Sequence, residues 1–291
     1  MGNGGRRVLI VGGDSTFGRA LRPVLAAQGV DGWGTSRRPS VRTGDIFLDL
    51  AADPGAWTFP ERPDIVVLCA AITGLADCAR DPIGTRLINV ERTLALVDRL
   101  AALGSRIVYP STNLVLAGAS PFQAADAPIR PLCEYARQKA EVEQALLALG
   151  DQAAILRMTK VIPPASPLVT GWITSLRAGR PIRPLSDLML APIPLAGLID
   201  ALARVGLEGG GGIYQVTGAE DISYAEFAAR IAARFGCPAE LVQPATAAEL
   251  GIRLEAQPPH TTLDPARARR EFGIVPFALD ETLNRMSFDA G

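Results

Sequence analysis

The fold of this chain is decided by residues 6–18, with the sequence RRVLIVGGDSTFG. An apolar run ends at Val11, two glycines follow, and apolar side chains then recur at helical spacing from Thr16 to Gln28. A strand, a tight turn and a helix in this order allow a glycine-rich turn to be interpreted as a dinucleotide site, because the amide groups that open the helix can receive a pyrophosphate. We therefore predict a dinucleotide-binding turn at positions 12–18.

One position of this turn departs from the usual spacing of three glycines. Gly12 permits the tight turn and Gly18 allows the helix to pack closely on the strand, but Ser15 stands where the middle glycine is expected. A turn that merely joins strand to helix is the alternative interpretation. The predicted cofactor-binding residues of the turn are Gly12, Asp14, Ser15, Thr16, Phe17 and Gly18.

Strand and helix patterns alternate along most of the chain. Strands are predicted at 6–11, 30–35, 46–48, 65–72, 106–109, 155–158 and 212–217, and helices at 16–28, 83–103, 133–149 and 224–235. This alternation predicts a parallel sheet covered by helices on both faces. The predicted fold class is α/β, a doubly wound, Rossmann-like parallel sheet with a smaller C-terminal substrate-binding lobe.

The composition excludes several functional classes. Lys plus Arg number 29 against 30 Asp plus Glu, so the chain lacks the basic stripe that nucleic acids and anionic membranes require. The longest apolar run has eight residues, where a membrane span needs about twenty. The only histidine, His260, excludes nearly every His-rich zinc site. We expect no nucleic-acid, membrane or metal partner and a cytoplasmic location.

The end of the second predicted strand bears on the choice of cofactor. Thr35 and Ser36 are followed by Arg37 and Arg38, where an NAD-preferring fold would carry an acidic residue for the ribose 2′-hydroxyl. An arginine at this position can accept a 2′-phosphate, so we predict NADP as cofactor, with NAD and a solvated charge pair as the alternatives. Asp49 and Leu50, after the third strand, are predicted to hold the adenine by a hydrogen bond and by packing.

The distribution of prolines divides the chain into two parts. Prolines cluster after Met158 and leave room only for short elements and ordered loops. We predict an NADP-binding Rossmann-like domain at 1–160, to which the chain returns at about 192–236. The smaller substrate-binding lobe is predicted to comprise 161–191 and 237–291.

A tyrosine and a lysine carry the predicted acid–base chemistry. Tyr135 and Lys139 are four positions apart and therefore share one face of a helix. We expect the ammonium to lower the pKa of the phenol, which would let Tyr135 exchange a proton near neutral pH. Thr112 lies at the end of the fifth strand, the edge at which a parallel sheet presents its ligand site, and its hydroxyl could polarise a carbonyl. A surface tyrosine beside a solvated lysine is the alternative.

These residues together resemble the extended short-chain dehydrogenase/reductase superfamily, and within it the dTDP-4-dehydrorhamnose reductase-like branch. The resemblance extends over nearly the whole chain and includes Ala70-Ala71, Asn89-Val90, STNLVLAG at 111–118, Tyr135 and Lys139, Leu156-Arg157, Asp187 followed by Pro192, and TTLD at 261–264. No single motif establishes this resemblance, but the order and spacing of the motifs together are specific for it.

The resemblance implies roles for individual residues. In that family, hydride passes from the nicotinamide to C4 of a 4-keto sugar nucleotide while a tyrosine protonates the new alkoxide. The resemblance implies that Thr112 contacts the substrate carbonyl, Tyr135 donates the proton and Lys139 supports both the tyrosine and the nicotinamide ribose. It also implies that Ala70, Ala71 and Asn89 belong to the cofactor site. A nucleotide sugar is the implied substrate, and a homodimer is left open.

Departures from the family pattern concern the substrate. Gln257 replaces an arginine near the expected substrate pocket, and Asn113 replaces an aspartate. Two other functions therefore stay open: a nucleotide-sugar epimerase or dehydratase of the same superfamily, and a non-catalytic NADP-binding regulatory subunit. Candidate cations for a substrate phosphate, with a solvated surface as the alternative, are Lys160, Arg177 and Arg183.

Overall fold

Eleven strands lie in the part of the chain that the computed structural model describes, residues 5–38, 45–255 and 257–286. They are β1 (Arg7–Val11), β2 (Asp31–Ser36), β3 (Ile46–Phe47), β4 (Ile65–Leu68), β5 (Arg106–Thr112), β6 (Ala153–Met158), β7 (Lys160–Ile162), β8 (Met189–Leu190), β9 (Pro192–Pro194), β10 (Gly212–Val216) and β11 (Ile222–Ser223). The ends of the two predicted domains, 1–4 and 287–291, lie outside the described residues.

The α-helices of the described residues alternate with these strands. They are α1 (Thr16–Ala27), α2 (Leu75–Arg80), α3 (Pro82–Arg86), α4 (Thr93–Ala102), α5 (Glu134–Leu147), α6 (Pro167–Arg177), α7 (Leu195–Leu207), α8 (Tyr224–Arg234), α9 (Ala266–Phe272) and α10 (Leu279–Asn284).

The main sheet has seven parallel strands in the order β10-β6-β5-β4-β1-β2-β3. From β1 the chain builds β2 and β3 on one side, and it then crosses back to place β4 on the other side of β1. This reversal opens a crevice beyond the carboxyl ends of β1 and β4, where open parallel sheets bind their ligands. The predicted doubly wound, Rossmann-like fold is confirmed.

Apolar clusters cover both faces of the sheet. Val8 belongs to the cluster that contains Leu198 of α7, whereas its neighbour Leu9 belongs to the cluster that contains Val142 of α5. Successive side chains of a strand point to opposite faces, so a strand covered on both sides is apolar throughout. All four residues of β4 are buried, as the continuous apolar run predicted.

The predicted helix at 83–103 is interrupted in the structure. Between α3 and α4 lies a π-helical segment, Leu87–Arg92, which contains the buried Asn89. Such turns hold an extra residue and are frequent at functional sites. The spacing of apolar residues does not reveal this insertion, because the flanking turns keep the ordinary helical period.

A third apolar cluster lies beside the main sheet and is formed by α6, α8, α10 and the short strands β7, β8 and β11. Trp172 of α6 and Phe227 of α8 meet edge to face, with ring centroids 6.3 Å apart. A capping box is present at the start of α8, since Ser223 and Glu226 bond to each other's backbone amides. β10 joins the main sheet whereas α8 packs on α6. The division into two domains at the boundaries given above stays a prediction.

Candidate active site

Two adjoining cavities follow the carboxyl edge of the main sheet. The loop cavity lies beside the glycine-rich turn, includes Gly12 and Asp14, and has a volume of about 430 Å³. The Tyr135 cavity lies over the start of α5, includes Tyr135 and Lys139, and has a volume of about 400 Å³. Cys69 and Ala71, just beyond β4, line both cavities, so the two form one cleft.

Gly12 and Gly18 lie at positions of the turn where the surrounding backbone leaves no room for a side chain. Gly12 has a φ of +81°, and a Cβ there would lie 2.8 Å from the amide nitrogen of Ala70. A Cβ on Gly18 would collide with the carbonyl oxygen of Gly12. Both predicted roles, the tight turn and the close packing of helix on strand, are present. These residues fit a dinucleotide cofactor.

Ser15 acts as the N-cap of α1. Its Oγ accepts a hydrogen bond from the amide of Gly18 at 3.0 Å, which satisfies one of the free donors at the helix start. The hydroxyl proton of Ser15 is left available to a phosphate oxygen. Thr16 and Phe17 of the same turn line the Tyr135 cavity rather than the loop cavity.

The remaining predicted adenosine contacts surround the loop cavity. Asp14 accepts a hydrogen bond from Ser36 Oγ at 3.1 Å and lies 3.9 Å from the Nε of Arg38. The residues that were predicted here and line the cavity are Gly12, Asp14, Ser15, Arg37, Arg38, Asp49, Leu50, Ala70 and Ala71. The structure therefore brings together segments from the ends of β1, β2, β3 and β4.

Tyr135 and Lys139 both line the Tyr135 cavity, as helical spacing predicted. The Nζ of Lys139 donates to the carbonyl oxygen of Pro110 at 2.9 Å and lies 5.9 Å from the centroid of the Tyr135 ring. It also lies over the ring of Tyr109, 4.2 Å from the centroid. The ammonium is thereby anchored to β5, one residue before the hydroxyl-bearing pair Ser111 and Thr112.

The pKa values of this pair differ from the expected ones. Burial raises the pKa of Tyr135 above its ordinary value, and the predicted lowering of this pKa by the neighbouring ammonium is wrong. Burial also lowers the pKa of Lys139 to about 8, although Glu143 one turn further along α5 acts in the opposite direction. The phenol is therefore protonated at neutral pH, which is the form that a proton donor requires.

Thr112 is positioned to donate a hydrogen bond into the same cavity. Its Oγ1 accepts from the amide of Leu114 at 3.2 Å, which leaves the hydroxyl proton for a ligand oxygen. The neighbouring Ser111 hydroxyl is buried and has no hydrogen-bond partner among the described residues. Asn113 lines the cavity as well. The carboxyl end of β5 therefore presents the polar groups expected for a carbonyl-binding site.

Asn89 lines neither cavity, although it was expected at the cofactor site. Its side-chain amide donates to the carbonyl oxygen of Ile72 and accepts from the amide of Ile72, both at 2.8 Å. Its Nδ2 also donates to Oε1 of Gln138 at 2.8 Å. Asn89 thus ties the segment after β4, which lines the cleft, to the helix that carries Tyr135 and Lys139.

Segments that follow β6 in the chain also line the Tyr135 cavity. Among the candidate cations, Lys160 lines the cavity, whereas Arg177 and Arg183 do not. Gln257 is also present there, as the family pattern implied. Tyr224, which sequence reasoning missed, lines the cavity too, and burial raises its pKa to about 12. No local sequence signal pointed to it, because the cavity is formed by segments that lie far apart in the chain.

The histidine His260 lines neither of the two cavities. The Nδ1 of His260 lies 3.3 Å from Oδ2 of Asp221, whose carboxylate also accepts bonds from Thr261 and Thr262. Within the described residues no group of three or more His, Cys, Asp or Glu could hold a metal ion. No helix in the same part of the chain combines the length and apolar character of a membrane span.

Residues 6–290 match the protein family described as the RmlD substrate binding domain. The chain belongs to this family. Membership confirms the resemblance to the dTDP-4-dehydrorhamnose reductase-like branch that the motifs indicated. The match covers all seven strands of the main sheet.

Two relatives are similar to different shares of this chain. A dTDP-4-dehydrorhamnose reductase of Streptomyces griseus is 26% identical over 270 residues, which are 90% of this chain and 86% of the relative. The methionine adenosyltransferase 2 subunit beta of Xenopus tropicalis is 32% identical over 157 residues, 53% of this chain, and this match spans only 46% of that relative.

A solved structure of the family has the same fold. The dTDP-4-dehydrorhamnose reductase of Bacillus anthracis, in complex with NADP, superposes with a TM-score of 0.81 at 20% identity, covering 97% of each chain. The Rossmann-like fold assigned above is thereby confirmed along nearly the entire length.

Proposed function

We propose that this chain is an NADP-dependent oxidoreductase that reduces a keto group on a nucleotide-linked deoxysugar. The observation that carries the proposal is the convergence of Thr112, Tyr135 and Lys139 on one cavity, directly beside the glycine-rich turn. A proton donor, a hydrogen-bond donor and a cation next to a dinucleotide site are the groups that carbonyl reduction needs.

Each of these residues has a distinct part in the reaction. Reduced nicotinamide, when bound, supplies the hydride. Thr112 donates a hydrogen bond to the substrate carbonyl and polarises it. Tyr135 gives its phenolic proton to the oxygen that becomes a hydroxyl. Lys139, anchored on Pro110, stabilises the phenolate that remains and reaches toward the nicotinamide ribose.

The comparisons support this oxidoreductase class and its cofactor. The Streptomyces griseus and Bacillus anthracis relatives are named as dTDP-4-dehydrorhamnose reductases, and the second binds NADP. We propose NADP as the cofactor, with NAD as the alternative. We further propose that the substrate is a small molecule, a nucleotide sugar, and that the protein is located in the cytoplasm. Assembly into a homodimer stays a prediction.

One comparison favours a second function. The match to the methionine adenosyltransferase subunit, although limited to about half of that relative, points to a non-catalytic NADP-binding regulatory subunit. Such a protein would bind NADP without needing the hydroxyl of Tyr135. An epimerase or dehydratase of the same superfamily would instead retain its cofactor and turn over without added NADPH.

A substrate panel separates these functions. The purified chain is incubated with a series of 4-keto nucleotide sugars and either NADPH or NADH, and the absorbance of the reduced nicotinamide is followed. We expect oxidation of NADPH with at least one sugar. Tight NADP binding without oxidation by any of them would favour the regulatory function, and conversion of a sugar without net oxidation would favour the epimerase or dehydratase.

A further inference from the structure

The chain contains only two lysines, Lys139 and Lys160, among 29 lysine and arginine residues. Both line the Tyr135 cavity. Lys139 is bound by the carbonyl oxygen of Pro110. The ammonium of Lys160, by contrast, forms no hydrogen bond or ion pair with any of the residues that the structure describes. A free cation therefore lines the cavity in which the reaction is proposed to occur.

The charged side chains that line the Tyr135 cavity are positive. None of the described residues that line it is an aspartate or a glutamate, so nothing there neutralises the two lysines. Although Lys160 is exposed overall, the protein atoms packed around its amine lower its pKa below the ordinary value. An unpaired ammonium in a partly desolvated wall attracts anions more strongly than one in bulk water.

The backbone holds Lys160 in place. It is the first residue of β7, which pairs with β9 in the register Lys160 to Pro192, and it follows the end of β6 by only two positions. Arg183, an exposed cation further along the chain, does not line the cavity. The position of Lys160 is therefore set by strand pairing.

We infer that Lys160 binds an anionic oxygen group of the substrate, supplied by either the diphosphate of a nucleotide sugar or a carboxylate on the sugar. The inference rests on the proposed function, because it places the reacting sugar in the cavity that contains Thr112 and Tyr135. A lysine is a compact point charge on a flexible stem, and phosphate or carboxylate is its ordinary partner.

Binding measured by calorimetry tests this inference without turnover. The anionic probes are dTDP, UDP and glucuronate, and the neutral controls are thymidine, uridine and glucose. We expect Lys160→Met to weaken at least one anionic probe by about tenfold to a hundredfold, the effect of losing one charge-assisted contact. NADPH binding should be unchanged, Lys160→Arg should keep most of the affinity, and the control Arg183→Met should bind like the native chain.

Amine labelling provides a second measurement on the native chain itself. Only the two lysines and the α-amino group can react with N-hydroxysuccinimidyl acetate, so peptide mass spectrometry follows each amine separately. We expect dTDP, UDP or glucuronate, but not the neutral controls, to slow acetylation of Lys160 at least fivefold, while the α-amino group reacts at its original rate. This measurement applies even if Lys160→Met fails to fold.

The outcomes separate the two possible anions and the two proposals. Protection by dTDP and UDP assigns Lys160 to a diphosphate, and protection by glucuronate assigns it to a carboxylate. Unchanged affinities in Lys160→Met, or equal labelling of Lys160 with and without every anionic probe, would overturn the inference. If Lys160 is protected but no keto sugar is reduced, the reductase proposal fails and the anion site stands.

Discussion

The carboxylate of Asp14 lies 3.9 Å from the Nε of Arg38. Asp14 belongs to the turn before α1 and Arg38 follows β2, so the parallel pairing of β1 and β2 brings them together. In dinucleotide-binding folds an acidic group here accepts the 2′-hydroxyl of NAD, whereas an arginine accommodates the 2′-phosphate of NADP. The glycine-rich turn thus places a carboxylate beside the arginine that is predicted to bind the 2′-phosphate.

The closeness of Asp14 to Arg38 predicts that the Asp14 carboxylate weakens the preference for NADP over NAD. In Asp14→Asn the carboxylate no longer repels a 2′-phosphate or competes with it for Arg38. We expect the affinity for 2′,5′-ADP to rise about tenfold relative to 5′-AMP, equivalent to about 1.4 kcal/mol. Calorimetric titration with these two nucleotides isolates the 2′ position, and an unchanged affinity ratio would contradict the prediction.

The arginines should act in the opposite direction. Replacing both Arg37 and Arg38 by alanine removes the charge-assisted contacts to the 2′-phosphate, each contributing about 1.5–3 kcal/mol. We expect the double variant to lose its preference for NADP while its affinity for NAD stays nearly the same. Measured dissociation constants for both cofactors check this, and retention of the native ratio would remove the arginines from the site.

Tyr135→Phe tests the chemistry. It removes only the phenolic hydroxyl, so the fold and NADPH binding should persist. We expect kcat to fall by about 10²- to 10⁴-fold, the usual contribution of positioned acid catalysis, with little change in KM. The assay uses a sugar that the native chain reduces. Activity equal to that of the native chain would refute the mechanism.

A matched variant at Thr112 probes the polarising hydrogen bond. Thr112→Val is nearly isosteric and deletes both the donor into the cavity and the acceptor for the amide of Leu114. We expect a smaller loss of kcat than in Tyr135→Phe, because one hydrogen bond is removed and the proton donor remains. A larger loss than in Tyr135→Phe would assign proton donation elsewhere.

Lys139 makes stability depend on alkaline pH. Burial lowers its pKa from 10.5 to about 8 in the folded chain. Between these values the unfolded chain holds a proton that the folded chain has released, so stability rises with pH. Below about pH 8 both states are protonated, and the buried ammonium has its full unfavourable effect.

Comparison with Lys139→Met isolates this contribution. From pH 8 to 10 the free energy of unfolding of the native chain should increase relative to that of the variant, by at most about 1.4 kcal/mol per pH unit. Urea unfolding at several pH values measures it. A constant difference over this range would show that the folded amine keeps its ordinary pKa.

The buried ion pair between Glu143 and Arg157 should be sensitive to the loss of one partner. Both side chains are almost completely inaccessible, and the Nη2 of Arg157 lies 2.8 Å from Oε2 of Glu143. Glu143→Gln or Arg157→Met leaves a buried charge unpaired, which costs about 3–5 kcal/mol. We expect the double variant to be less destabilised than the sum of the single variants in urea unfolding. Additive effects would show that the two residues do not interact.

The sequence alone determined those features that depend on neighbours along the chain. The strand, turn and helix at 6–18 follow from an apolar run, two glycines and a helical period, which are local properties. Tyr135 and Lys139 share a cavity because four positions span about one helical turn. The continuous apolar run of β4 likewise indicated a strand buried on both faces. Local patterns suffice here because the backbone geometry of a helix or strand is repetitive.

Only the tertiary structure decided which distant residues meet and how much water reaches them. Asp14 faces Arg38 because β1 and β2 are adjacent, and Lys160 joins Lys139 because the end of β6 and the start of α5 reach one cleft. Burial also reversed the expected pKa shift of Tyr135, because desolvation of the phenol raises its pKa. Desolvation depends on every atom packed around a group, and a local sequence pattern does not contain that information.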